Sequence, residues 1–150
     1  MPRPVLPTDP ARSALMKRVR QKRTSAEELV AKALRERGLA YRRNVRSLPG
    51  SPDFANKTKR WALFVMGCFW HRHTNCPRAT VPKRNREYWE PKFRENRRRD
   101  AAKIRSLRRL GFSVVLAWEC EIERDPGRVG ERVRALLDRR NPAGARARAT

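Results

Sequence analysis

Two short stretches of this chain, Trp61-Ala62-Leu63-Phe64-Val65-Met66 and Phe112-Ser113-Val114-Val115-Leu116-Ala117-Trp118, are apolar almost without a break. A strand with one wet face alternates apolar and polar side chains, so continuous runs of strand length belong to strands covered on both faces. Such strands need a layer of helices on each side, and the sequence supplies candidates. Thr24-Ser25-Ala26-Glu27 has the form of a capping box, after which Ala26, Leu29, Val30, Ala33 and Leu34 recur at helical spacing until Gly38. A second helix is expected from about Glu90-Pro91 to Leu110, with Phe93, Ile104, Leu107 and Leu110 turned inward and Gly111 as its stop. A third holds Val129, Val133, Leu136 and Leu137. Leu39 to Val45 suits a strand, and Asp53-Phe54-Ala55 opens another that turns at Asn56-Lys57. The expected fold class is therefore α/β, a mixed sheet flanked by helices.

The chain has 150 residues, 39% of them hydrophobic, which suits one domain with a modest core over residues 12–140. Pro2, Pro4 and Pro7 make residues 1–11 an extended arm, with a helix start near Thr8 or Asp9 and Pro10. Residues 141–150, with their Ala-Arg repeat, are expected to form a disordered basic tail. Between the two apolar runs, residues 67–84 read as irregular, punctuated by Gly67, Pro77 and Pro82.

Lys and Arg number 38 against 15 Asp and Glu, a formal charge of +23. Solubility does not require that density, and self-repulsion penalises it, so a polyanionic partner is expected. Nucleic acid fits better than a membrane, because no stretch approaches the roughly 18 apolar residues of a spanning helix and the basic residues run through the folded part. The amino terminus has no signal-peptide run, and an odd number of cysteines is no disulfide framework, so a reducing, cytoplasmic setting is expected.

Cys68, His71, His73 and Cys76 crowd into residues 68–76, and Cys120 follows the second apolar run. Zinc takes about four nitrogen or sulfur ligands. One histidine is then left over, and spacing alone does not say which. Cys120 could instead be a thiol buried at a strand end, but gathering every Cys but one and both His in one loop favours the metal. Asp53 follows a Pro-Gly loop at a strand start, where a carboxylate can hold a divalent cation, although an Asp beside Pro is more often turn chemistry. Phe69-Trp70 and Tyr88-Trp89 lie among basic residues, as core aromatics or as a wedge for stacked bases. Arg94, Arg97, Arg98, Arg99, Lys103, Arg105, Arg108 and Arg109 give the long helix a basic face suited to phosphates.

Ser47-Leu48-Pro49-Gly50-Ser51-Pro52-Asp53, Gly67-Cys68-Phe69-Trp70-His71-Arg72-His73, Tyr88-Trp89, Asn96, Asp100 and Trp118-Glu119-Cys120 resemble, in order and spacing, the very-short-patch repair endonucleases. The resemblance runs from about Arg12 to about Glu123. It implies a restriction-endonuclease-like sheet with one structural zinc, and an enzyme that nicks DNA 5′ of the thymine in a T:G mismatch left by deaminated 5-methylcytosine. It implies a magnesium held by Asp53 and the backbone carbonyl of Val65, His71 as catalytic histidine, and Glu27 as a glutamate near the active site, although a helix cap explains Glu27 equally well. Zinc would take Cys68, His73, Cys76 and Cys120, leaving His71 for chemistry. Phe69, Trp70 and Trp89 would enter the base stack and Asn96 and Asp100 would stand around the active site and the mismatch contacts, while Arg97 and Arg98 of the basic face complete the expected DNA-binding set. The implied partners are mismatched double-stranded DNA, other mismatch-repair proteins and a DNA polymerase, for a protein acting as a monomer.

The chain departs from the expected pattern in places. Restriction-type nucleases commonly follow Pro-Asp with an acid-x-Lys on the next strand, and Trp61 to Met66 contains neither. The gap between His73 and Cys76 is wider than expected, which a loop absorbs. Met66 stands where the resemblance calls for histidine or aspartate, and a thioether accepts no proton at neutral pH, so reduced turnover is expected.

Overall fold

The two apolar runs lie side by side as parallel strands at one edge of a four-stranded sheet. The computed structural model describes residues 25–79 and 84–149. Within them the order is α1 (Ser25–Glu36), β1 (Arg42–Arg43), β2 (Phe54–Asn56), β3 (Trp61–Met66), a 3-10 turn (Pro77–Ala79), α2 (Arg86–Arg109), β4 (Ser113–Trp118), α3 (Glu119–Arg124), α4 (Pro126–Arg140) and α5 (Pro142–Ala149). The sheet runs β1-β2-β3-β4, antiparallel except for the β3/β4 pair. Parallel neighbours cannot be joined by a tight turn, and the crossover here contains α2.

Side chains alternate across the sheet, and each face has its own cover. Trp61 and Leu63 of β3, with Phe54, Val115 and Ala117, pack under Val30 and Leu34 of α1, Ile122 of α3, and Val129 and Val133 of α4. Ala62, Phe64 and Met66 face the other way, against Leu48, Leu107 of α2 and the partly buried Trp118. Met66 is 5% exposed. The last residue of β3 therefore sits in the core layer beneath α2, the helix that also carries Asn96 and Asp100.

Several sequence expectations are corrected. The strand expected over Leu39–Val45 shrinks to Arg42–Arg43, because Asn44 turns into a left-handed conformation (φ 48) while its amide still donates to the Asp53 carbonyl at 3.0 Å. The long helix starts at Arg86, ahead of Pro91, which it encloses. Proline there forgoes one backbone bond, and stacking of Trp89 on Phe93, four residues apart, carries the helix across it. Leu110 is 52% exposed and does not face the core, since Leu107 fills that position before the chain turns at Gly111 (φ 85). α3, directly after β4, has no counterpart in the sequence reading. The tail expected to be disordered carries α5: proline opens it, alanine and arginine favour helix, and the Asn141 side chain accepts the Gly144 amide as a cap. The expected arm at 1–11, the helix start near Pro10, Thr24 of the capping box and Pro82 lie outside the described residues.

Candidate active site and metal centre

The carboxyl ends of β3 and β4 point the same way, and the chain segments leaving them hold the unusual side chains. This is where open α/β sheets place their ligands. Asp53 arrives from the opposite direction, at the foot of antiparallel β2, after a loop whose Pro52 is fully buried. Its Oδ2 accepts the Val65 amide at 2.7 Å, which fixes the carboxylate beside the backbone of β3. Burial holds this carboxyl above its ordinary value, against the opposing pull of the Val65 amide, its own backbone, His71 and Lys103. Desolvation disfavours the ionised form, and a cation at the site would reverse that.

After β3 the chain makes a tight turn, with the His71 amide donating to the Gly67 carbonyl at 3.0 Å. His71 Nδ1 lies 2.5 Å from Asp100 Oδ2, with both side chains mostly enclosed. Carboxylate on Nδ1 selects the tautomer that leaves Nε2 unprotonated and orients the ring, the arrangement a histidine needs to accept a proton. Asn96, Asp100 and Lys103 follow at helical spacing on α2 and share one face. Asn96 donates to the Trp70 carbonyl at 3.2 Å, and Lys103 Nζ lies 3.9 Å from Asp100 Oδ1. Asp100 and Asn96, expected among the DNA contacts, are thus engaged within the protein, holding His71 and Trp70.

Glu27 pairs with Arg43 at 3.7 Å, next to the segment whose Asn44 binds the Asp53 backbone. The sequence placed Lys103 in the general basic face and Glu119 within the Trp118-Glu119-Cys120 stretch, without a role for either in the site. Glu119 lies beside Gly67, whose added Cβ would stand 3.3 Å from its Oε1, and its carboxyl is raised by burial and by Glu123, against the pull of Arg78 and His71. Helical spacing from Asp100 could have singled out Lys103; nothing local gives Glu119 a role of its own.

Cys68, His73, Cys76 and Cys120 bring one ligand atom each to within 4.8 Å of one another, a set that could hold a metal ion. Cys68 Sγ and Cys120 Sγ lie 3.8 and 3.4 Å from His73 Nδ1. The edges of a tetrahedron with zinc-type bond lengths are about 3.6 Å, so donor type and spacing both fit. Burial pushes the Cys68 thiol up to about 12, with neighbouring Cys120 and Cys76 adding to the effect. The His73 ring stacks on Trp118 at 4.2 Å.

Phe69 meets Trp70, Trp89 and Phe93 edge to face at 5.2–5.6 Å. Phe69 and Trp70 are half-buried, whereas Trp89 is 9% exposed. Arg72 lies over the Phe93 ring and Lys92 over Tyr88. Arg97 donates to the Arg72 carbonyl at 3.1 Å, and Arg98 is exposed.

A carboxylate-oriented histidine beside a half-buried aspartate, under a strongly basic helix edged with aromatics, is the equipment of a phosphodiester hydrolase acting on nucleic acid. Comparison with known proteins is more specific. Residues 6–78 match the family model of the DNA mismatch endonuclease Vsr. The chain is 40% identical to the type II nicking enzyme V.XorIIP of Xanthomonas oryzae pv. oryzae, over 85% of this chain and 92% of that one. It is 39% identical to the DNA mismatch endonuclease Vsr of Escherichia coli K12, over 74% and 70% respectively, and 35% identical to the type II nicking enzyme V.NmeAIP of Neisseria meningitidis, over 77% and 82%. The chain belongs to the Vsr family of DNA mismatch endonucleases.

Proposed function

We propose that this endonuclease nicks one strand of duplex DNA on the 5′ side of the thymine in a T:G mismatch, starting very short patch repair. The juxtaposition of His71, held on Asp100 at 2.5 Å, with the aromatic pair Phe69-Trp70 carries this reading. Proton transfer then occurs beside the place where an inserted ring distorts the backbone, and a mismatch stacks poorly enough to admit one. The mismatch endonuclease of E. coli is a relative, and the named nicking enzymes are others.

The metal in this reading is magnesium, held by Asp53 and the Val65 carbonyl; a half-buried carboxylate oxygen suits a hard cation. When bound it offsets charge on the phosphodiester and acidifies water. The remaining work falls to the protein. His71 Nε2 takes the proton of the attacking water, Asp100 stabilises the imidazolium, and Asn96 fixes the Trp70 main chain. Phe69 and Trp70 form the wedge with Trp89 behind them, while Arg97 and Arg98 take flanking phosphates. Glu27 positions the Asp53 segment through Arg43. Zinc at Cys68, His73, Cys76 and Cys120 has no chemical step and fixes the loop.

Residues 12–140 act as one endonuclease domain, working as a monomer in the bacterial cytoplasm with other mismatch-repair proteins and a DNA polymerase. The bacterial, DNA-acting relatives support this setting. Among the described residues no helix is long and apolar enough to cross a membrane.

A nicking assay on T:G, matched and abasic duplexes, with and without magnesium, tests the reading. Cleavage confined to T:G, 5′ of the thymine and magnesium-dependent, is expected. Equal cleavage of matched duplex would remove the mismatch from the assignment.

A further inference from the structure

With the site centred on Asp53 and His71, two carboxylates stand close to the reacting phosphodiester, Asp53 itself and Asp100 on His71 at 2.5 Å, so a substrate phosphate meets negative charge on arrival. β3 supplies no basic residue against it. Lys103 does so from the other side. Its Nζ lies 3.9 Å from the Asp100 oxygen that His71 does not use, and its side chain is 38% exposed, open to an incoming ligand. The stem runs across the loop before Asp53: a Cβ added at Gly50 would stand 2.6 Å from both Lys103 Cγ and Cδ. Gly50, at φ +76, thus leaves both the turn and the groove that the lysine lies in. The ammonium is near enough to Asp53 for its charge to draw down that carboxyl. Two other basic residues of α2 already hold partners within the protein, Arg97 the Arg72 carbonyl and Arg99 the Glu95 carboxylate.

We propose that Lys103 binds the phosphate being cleaved, its ammonium taking a non-bridging oxygen of the phosphodiester on which Asp53 and His71 act. This rests on the endonuclease site being centred on Asp53 and His71, and it separates Lys103 from the basic face that only anchors flanking DNA. A compact ammonium on a flexible stem suits the task, because it can follow the phosphate as charge develops on it.

The test uses the full-length, zinc-loaded protein and whichever duplex the wild type nicks with magnesium. Single-turnover rate, duplex affinity and Tm are measured for Lys103→Met, Lys103→Arg, Asp53→Ala and the exposed Arg105→Ala. Lys103→Met should slow cleavage about 100-fold with affinity changed less than about threefold and Tm unmoved, and Lys103→Arg should recover part of the rate. Arg105→Ala should lower affinity through the loss of one phosphate contact. Phosphorothioates at the nicked position give a second readout that needs no variant. One diastereomer should slow the wild type without rescue by manganese or cadmium, and in Lys103→Met that selectivity should vanish. Retention of it in Lys103→Met, with only the pH profile moved, would show that Lys103 merely tunes the Asp100–His71 pair and would overturn the inference. So would a wild-type rate in Lys103→Met with Asp53→Ala inactive. Normal nicking by Asp53→Ala would overturn the site reading beneath it and this inference with it.

Discussion

At Asp53 the proposed function and stability oppose each other. Its carboxyl sits above the ordinary value of 3.8, chiefly because it is buried. A raised folded-state value means a stabilising contribution that is complete below the unfolded-state value and lost as pH rises through the folded one. Asp53→Asn keeps an oxygen for the Val65 amide and discards the charge. Without added magnesium its Tm should exceed that of wild type at pH 7, and the gap should close below about pH 4, while magnesium-dependent nicking disappears. A variant less stable than wild type at pH 7 would mean the ionised carboxylate is already satisfied by its neighbours. Met66 poses a related question. It is buried among Leu48, Phe64 and Leu107, where a thioether packs comfortably. If turnover is limited by a missing polar group, Met66→His, able to enter the core neutral, should raise the single-turnover rate by on the order of 10-fold or more. Met66→Asp should lower Tm, since it buries a charge. A flat rate in Met66→His would assign Met66 to packing alone.

At the scale of elements, the apolar runs were readable because burial on both faces leaves a composition that no half-wet strand has. β3 and β4 accordingly match the expected positions. β1 and the start of α2 were not readable, since a left-handed Asn44 and aromatic stacking across Pro91 are decided by tertiary contacts. The metal cluster was legible as ligand types, but choosing between the two histidines needed the resemblance, and Asp100's place on His71 needed the fold. α3 matters here because it begins at Glu119 and fixes where Cys120 emerges from β4. Cys120→Ser should therefore lose bound zinc, lower Tm and depress nicking together, as metal analysis and melting curves would reveal. Because the thiols must deprotonate to bind, and burial opposes this at Cys68, zinc affinity should fall as pH falls. Full zinc occupancy in Cys120→Ser would exclude that residue from the site.

For the whole molecule the governing quantity is the charge of +23. It should make duplex affinity fall steeply and linearly with salt on logarithmic axes, for matched and mismatched DNA alike. Arg98→Ala should weaken both equally and reduce the slope by about one phosphate contact. An effect confined to the mismatched duplex would move Arg98 from the anchoring surface to recognition.

Residues 68–73 interleave three duties: Cys68 and His73 belong to the cluster, Phe69 and Trp70 to the aromatic edge, and His71 to the Asp100 pair. The stretch is consequently locked in length. One residue inserted between Cys68 and His73 would throw the rings and the imidazole out of phase even if the ligands still met, whereas an insertion between His73 and Cys76 lengthens a bare loop. Lineages of such proteins should accumulate insertions and deletions after His73 and almost none before it.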